Sequence, residues 1–158
     1  MGSYSFKSSG KTPLAKSLET PKVTSLPIGI KTPLEIGTGE TSEILVTYNK
    51  FEEVTHDNLK NLILTNWGER VGLYNFGANL KPLLTEISSQ EDFDNEAIER
   101  IKNAVQKWMP FVSLEDFVSN VDTLFTSQSL AKVIIRITYS IPALRVETKG
   151  LEVVLRAI

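Results

Sequence analysis

The spacing of the apolar residues in this chain changes abruptly at Pro110. Between Phe93 and Trp108 apolar residues recur at helical spacing, so that they share one face of an amphipathic helix. Because the residue before a proline avoids the helical conformation, this helix is expected to end there. After the proline, apolar and polar residues alternate, which is typical of strands with one buried face. We therefore predict helices first and a sheet second, as in an α+β fold.

Three segments after the proline carry the alternating pattern. The first begins at Val112, and a phase slip near Asp116–Phe117 indicates a β-bulge. The second spans 131–141 and has Arg136 on its polar side, and the third spans 150–157. These segments predict a three-stranded antiparallel meander with helices packed on one face.

Two shorter helices and a strand are predicted before the long helix. Alternation at 44–48 indicates a short strand. Thr55 is a suitable N-cap for the following helix, and Gly68 is expected to end it. A second helix is expected to begin just after Gly77. Its apolar face would be formed by Leu80, Leu83, Leu84 and Ile87.

Residues 1–41 differ in composition from the rest of the chain. They are rich in serine, threonine, glycine, proline and lysine, and their few apolar residues follow no regular period. Such a segment cannot bury a core of its own. We predict an extended N-terminal arm over 1–41 and one α+β domain over 42–158, with three helices packed on a small antiparallel sheet. The arm is either a flexible tail or a segment that becomes ordered on a partner protein.

The composition argues against several kinds of chemistry. A net charge of −2 and a pI near 5.5 provide no electrostatic footprint for nucleic acid. The sequence has no cysteine, no apolar run long enough to span a bilayer and no glycine-rich phosphate loop. His56 is the only histidine, and we expect it to be a surface residue rather than a base or a metal ligand. We expect no cofactor, no metal, no membrane partner and no small-molecule substrate.

A glycosidase would need two carboxylates roughly 5 to 9.5 Å apart, one of them with a raised pKa. No acidic residue lies in an apolar stretch that would raise its pKa, and those at the start of the long helix are explained by the helix dipole. The chain is therefore predicted not to be an enzyme, and peptidoglycan hydrolysis is kept as the alternative. The carboxylates considered are Glu69, Glu86, Glu91, Asp92 and Asp94.

Two short stretches are candidates for contacts with other proteins. Glu69 and Arg70 are adjacent at a helix exit and cannot face each other, so each needs a partner elsewhere. Arg70 either orients the turn by binding a carbonyl or a carboxylate, or takes part in an interface. Trp108 is expected in the core. Met109 and Phe111 either fold back onto the sheet or remain exposed as an apolar docking patch.

The order of these pieces resembles the small wedge subunit of contractile phage-tail baseplates. The resemblance rests on the run Thr65–Arg70, on Phe76–Gly77, on Leu80–Glu86 and on the helix–proline–strand junction, and it covers roughly Val54–Ile158. This family includes TssE of type VI secretion baseplates, and some members carry a lysozyme label. The resemblance implies a structural part of a virion tail baseplate, assembled in the host cytoplasm, rather than a hydrolase.

The resemblance also implies partners: the larger baseplate wedge proteins and the tail sheath protein. Family members carry Glu-Pro-Arg at the end of the long helix, where it engages a bundle of the larger wedge proteins. Only the proline is present here, so we expect an apolar contact in place of a polar one. The sheet would accept a strand from the first sheath ring along 131–141 or 150–157. The candidate partner-binding residues are Gly68, Glu69, Arg70, Met109, Pro110, Phe111, Arg136 and Tyr139. A small protein-binding adaptor of the same fold is a further alternative.

Overall fold

The computed structural model of the chain describes residues 26–37, 44–86, 89–122, 132–144 and 146–156. The chain divides into two compact units, Met1–Val54 and Thr55–Ile158. The predicted boundary between arm and domain, after residue 41, lies outside the described residues.

The first unit contains a small two-stranded sheet. Strand β1 (Gly29–Ile30) pairs antiparallel with β2 (Thr47–Tyr48), and Ile36 forms an isolated bridge with Leu45. The strand predicted over 44–48 is thus present at its C-terminal end. Part of the segment predicted as an arm therefore pairs with the residues that directly precede the first helix.

Helix α1 spans Phe51–Leu64 and begins one turn earlier than predicted. The carbonyl of Lys50 accepts hydrogen bonds from the amides of Glu53 and Val54, which starts the helix before Thr55. The prediction that Thr55 is the N-cap is therefore wrong, because this residue is buried inside the helix. Acidic residues in the first turn complement the helix dipole at this earlier start.

Helix α2 is a single turn, Leu83–Glu86, where a longer helix was expected. Leu80 and Leu83 are buried as predicted, although Leu80 lies before the helix rather than within it. Pro82 precedes the first helical residue and lacks an amide hydrogen, which suits a helix start. Ile87, predicted on the same face, lies outside the described residues.

Helix α3 spans Gln90–Trp108 and confirms the clearest helical pattern in the sequence. The side chain of Ser89 caps it by accepting a hydrogen bond from the amide of Asp92 at 3.2 Å. Its end before Pro110 is also as predicted, and the amide of Met109 still donates to the Val105 carbonyl at 2.8 Å. The buried face consists of Phe93, Ala97, Ile101, Ala104 and Val105.

Strands β3 (Ser113–Asp122), β4 (Lys132–Ile141) and β5 (Val146–Arg156) form an antiparallel sheet in the order β3-β4-β5, as predicted. The β3–β4 register shifts between Leu114 and Asp116, slightly before the predicted bulge. Side chains of β4 alternate between buried and more exposed positions. The buried cross-strand pairs between β4 and β5 are Val133–Leu155, Ile135–Val153 and Ile137–Leu151.

The hydrophobic core lies on one face of this sheet, where side chains from all three helices pack. This arrangement confirms the α+β class, since the helices and the antiparallel sheet occupy separate parts of the chain. Fully burying a leucine or isoleucine stabilises a fold by about 1.5–3 kcal/mol relative to leaving it exposed. No helix in the described part of the chain is long and apolar enough to cross a membrane.

Candidate functional site

The segment after α1, residues 65–79, is a compact loop that we call the helix-end loop. All three of its glycines have positive φ: +85° at Gly68, +83° at Gly72 and +109° at Gly77. The amide of Gly68 donates to the Tyr74 carbonyl at 2.8 Å, and the amide of Ala78 donates to the Leu62 carbonyl at 3.1 Å. These bonds close the loop and fix its second half against α1.

Within the loop, Glu69 has a local structural partner. Its carboxylate accepts hydrogen bonds from the side-chain amide and the backbone amide of Asn66, both at 2.8 Å. The side-chain bond is the main cause of a lowered pKa for Glu69, followed by the backbone bond. A general acid for glycoside cleavage needs a raised pKa, so the environment of Glu69 favours turn stabilisation over proton donation.

Arg70 also has its own partner, which is an aromatic ring. Its guanidinium lies over the ring of Phe76, 3.8 Å from the centroid. Phe76 in turn packs against Trp108, with the two centroids 5.2 Å apart. The prediction that adjacent Glu69 and Arg70 use separate partners is confirmed, while the carbonyl or carboxylate expected for Arg70 is replaced by this ring. The interaction links the loop to the end of α3.

The helix-end loop also displays large apolar side chains that the sequence analysis did not select. Trp67, Val71, Leu73 and Tyr74 are all exposed. The indole of Trp67 is nevertheless held in place, because its Nε1 donates to the Gly77 carbonyl at 3.1 Å. Exposed aromatic side chains on a fixed backbone are typical of protein-binding surfaces. Their density between Trp67 and Tyr74 was the available signal in the sequence.

At the end of α3, Met109 folds back onto the core and Phe111 remains exposed, so each residue follows one of the two predicted alternatives. Met109 folds back into the core with 6% of its surface exposed, whereas Phe111 keeps 41% exposed and Pro110 is also exposed. Trp108 is partly buried and packs against the core, as expected. The predicted apolar patch is therefore reduced to Pro110 and Phe111, because the side chain of Met109 is needed to close the core.

On the sheet, the two candidate residues occupy opposite faces of β4. Arg136 lies on the outer face, where its Nε is 2.9 Å from the Glu152 carboxylate on β5. Tyr139 is 0% exposed and belongs to the core, so it does not present its side chain to a partner in this structure. The hydroxyl of Tyr139 lies 3.0 Å from Nδ1 of His56. Arg136 is exposed and Tyr139 is buried because side chains along a strand point alternately to its two faces.

His56 is therefore not the plain surface residue that the sequence suggested. It is partly buried on α1, and burial lowers the pKa of its imidazole below the ordinary value of 6.5. Asp57 opposes this shift, and Lys149 and Lys60 add to it. The contact with Tyr139 joins residues 83 positions apart, so only the folded chain reveals it.

The edges of the three-stranded sheet differ in their surroundings. Strand β4 is paired on both sides, so the alternative in which 131–141 provides the free edge is wrong. Strand β3 lies beside α3, since the hydroxyl of Ser119 donates to the carboxylate of Asp94. Among the described residues, no backbone hydrogen bond joins the outer edge of either β3 or β5 to another element. Strand β5 is the better candidate for strand addition, because β3 is bound to α3 through a side chain.

The acidic residues considered for hydrolysis are dispersed. Asp92 accepts a hydrogen bond from the Ser89 hydroxyl, and Asp94 accepts one from Ser119, so both stabilise local structure. A groove of about 510 Å³ between the helix-end loop and α3 contains two other carboxylates, Glu96 and Glu99. Glu96 is ion-paired with Arg100 at 2.8 Å on the same helix, an arrangement that orients both side chains.

Comparisons with known proteins identify solved structures that share this fold. No protein-family profile and no curated protein matches the sequence of this chain. A crystal structure of a candidate tail lysozyme from Geobacter sulfurreducens is similar with a TM-score of 0.54 and 16% identity, over 72% of this chain and 96% of that one. A chain in the cryo-EM structure of the anti-feeding prophage baseplate is similar with a TM-score of 0.58 and 17% identity, over 80% and 98%. At such identities the likeness shows a common fold.

Proposed function

We propose that this chain is a structural wedge component of a contractile-tail baseplate. In this role it joins larger wedge proteins and initiates the tail sheath by accepting a strand at β5. The observation that carries the proposal is the outer edge of β5, to which no other described element is hydrogen-bonded through its backbone. The fold shared with a chain of the anti-feeding prophage baseplate supports it.

The chemistry of β5 suits strand addition. Along Leu151–Arg156 the residues alternate strictly between buried and exposed, so an added strand would continue both faces of the sheet. Main-chain hydrogen bonds would supply affinity, and alternate side chains would supply selectivity. Exposed sheet edges promote aggregation, which gives a reason for the edge to be covered by a partner in the assembled particle.

A second surface would contact the larger wedge proteins. It combines the exposed apolar side chains of the helix-end loop, such as Trp67 and Tyr74, with Phe111 beyond α3. Tryptophan, tyrosine and arginine are enriched among residues that dominate binding energy, and Arg70 lies in the same loop. Because the loop backbone is already fixed by hydrogen bonds, little conformational entropy would be lost on binding.

The test is co-expression of the tagged chain with the sheath protein and the larger tail proteins of the same particle. We expect these proteins to co-purify in fixed stoichiometry, and we expect Trp67→Ala or Tyr74→Ala to remove the larger wedge proteins selectively. The matched control is Val118→Ala, an exposed apolar residue on the outer face of β3. Purification of the chain alone in the presence of all partners would contradict the proposal.

A peptidoglycan hydrolase is the second candidate, favoured by the description of the Geobacter sulfurreducens neighbour. The carboxylates most relevant to it are Glu69 and, in the groove, Glu96 and Glu99. Clearing of a peptidoglycan gel by the purified chain, lost in Glu96→Gln or Glu99→Gln, would establish the enzyme. The lowered pKa of Glu69 gives no support for its use as the acid.

A further inference from the structure

A pocket of about 290 Å³ lies beside the C-terminal end of β5. It is formed where the end of α1, the helix-end loop, the start of α2 and β5 come together. Its lining includes Leu64, Glu69, Leu80, Lys81 and Leu84, together with Val154–Arg156.

The lining shows which side of β5 the pocket occupies. Consecutive residues of a strand point to opposite faces, yet Val154, Leu155 and Arg156 all line the pocket. A space lined by three consecutive strand residues lies along the edge of the strand rather than over one face. The β4 residues paired with them, Lys132–Ile134, do not contribute. The pocket therefore lies at the outer edge of β5, where the proposed strand would be added.

The pocket has an apolar floor and a charged rim. Buried or partly buried aliphatic side chains, including Leu80, Leu84 and Leu155, form the floor. At the rim the Glu69 carboxylate is already bound to Asn66. Among the described residues, Lys81 and Arg156 form no ion pair, although Lys81 helps to lower the pKa of Glu69 through its charge. The rim therefore carries two positive charges and one negative charge. The rim thus offers positive charge beside a space of the size that one large aliphatic or aromatic side chain needs.

We infer that this pocket receives one large apolar side chain from the strand that partners β5, with an acidic residue of the same strand meeting Lys81 and Arg156. The inference rests on the proposed function and adds the feature that sets register. A slip of one residue would turn the apolar side chain to the other face and leave the pocket empty. The occupant is an extended segment because the pocket is continuous with a strand edge.

Two substitutions test the pocket without disturbing the core. Leu64 is the last residue of α1 and is 39% exposed, and Lys81 is exposed. We expect Leu64→Arg and Lys81→Glu each to weaken the complex with the sheath protein about tenfold, the effect of losing one buried aliphatic contact or one complementary charge. Matched controls are Val118→Arg on β3 and Lys102→Glu on α3, which should leave the affinity unchanged. Circular dichroism checks that every variant is folded.

Cross-linking identifies the occupant directly. The chain has no cysteine, so a single Leu64→Cys variant labelled with a benzophenone carries its reactive group only at the pocket. Illumination of the complex with the sheath protein should join Leu64→Cys to an apolar residue in an extended segment, identified by mass spectrometry. Val118→Cys, labelled in the same way, is the control and should not join that segment.

The outcomes separate the inference from the proposed function. A complex that forms normally, gives no cross-link at the pocket and is unaffected by Leu64→Arg would overturn the inference and leave the proposed function standing. A cross-link to a helix or to a polar segment would also overturn it. Failure of any complex to form would overturn both, and it is recognised because the unmodified chain also purifies alone.

Discussion

At the scale of single residues, Gly77 makes the strictest demand on the sequence. A Cβ at this position would lie 2.1 Å from the carbonyl oxygen of Thr65, and φ is +109°. Gly72 also has positive φ, +83°, but a Cβ there would meet nothing within 4 Å. Gly77 is therefore required by both the lack of space for a side chain and its backbone conformation, whereas Gly72 is favoured only by its backbone conformation.

This difference predicts unequal costs for alanine. Gly77→Ala should destabilise the protein by more than about 2 kcal/mol, because the loop must move away from α1. Gly72→Ala should cost only about 1 kcal/mol, the ordinary penalty of a left-handed conformation. Urea unfolding of both variants measures the difference, and equal costs would mean that the loop moves freely. Gly77→Ala should also weaken binding of the larger wedge proteins.

The partial burial of His56 predicts a dependence of stability on pH. The pKa of His56 is lowered in the folded chain, so the unfolded chain binds the proton more readily. The free energy of unfolding should therefore fall as the pH drops below about 6.5 and through the folded-state pKa. Urea unfolding at pH values from about 8 to 5 measures this slope. In His56→Gln the slope over this window should be reduced, and an unchanged slope would contradict the assignment.

At the scale of elements, the stacking of Arg70 on Phe76 ties the helix-end loop to α3. Arg70→Ala should cost about 0.5–1 kcal/mol of stability, the usual size of an exposed cation–π contact. Arg136→Ala removes an exposed ion pair with Glu152 and should cost less, about 0.5 kcal/mol or nothing. Chemical unfolding compares the two variants. A larger loss for Arg136→Ala would reverse our ranking of these contacts.

The same elements show what a sequence can and cannot predict. Helix α3 and strand β4 follow strong local periods, so their type and buried faces were predicted correctly. The start of α1 depends on hydrogen bonds to the Lys50 carbonyl. The sequence pattern favoured a later start, because Thr55 is a suitable N-cap residue. Helix α2 is short because the residues before it are held by the loop: the amide of Lys81 donates to the Asn66 side chain. Such contacts override local propensity.

The candidate site was predictable only in part, for a similar reason. Gly68, Glu69 and Arg70 were selected because adjacent opposite charges at a helix exit each need a partner elsewhere, and because they belong to a run that carries the resemblance. Their partners, and the burial of Tyr139 against His56, depend on residues far away in the sequence. The edge pocket joins residues 63–84 to 154–156, and no local pattern indicates that these segments meet. Partner binding by the candidate residues stays a prediction.

At the scale of the whole molecule, an open strand edge has a consequence for the isolated chain. Without a partner, the outer edge of β5 should pair with the same edge of a second copy at high concentration. Lysine on an edge strand opposes such pairing through its charge. Val154→Lys places that charge on an exposed position of β5, and Val118→Lys places it on β3 as a control. Light scattering at increasing concentration should show less self-association for Val154→Lys than for the unmodified chain, with little change for Val118→Lys.

The same pair of variants distinguishes self-association through β5 from association through the helix-end loop. If the exposed Trp67 and Tyr74 were responsible, Val154→Lys would leave light scattering unchanged and Tyr74→Ala would reduce it. If β5 is responsible, addition of the proposed sheath partner should suppress self-association, because the sheath strand and the second copy compete for one edge. In Val154→Lys, self-association through β5 is already weakened by the substitution. Addition of sheath protein should therefore not reduce it further. Thus the solution behaviour of the free chain reports on the surface that the assembled particle would cover.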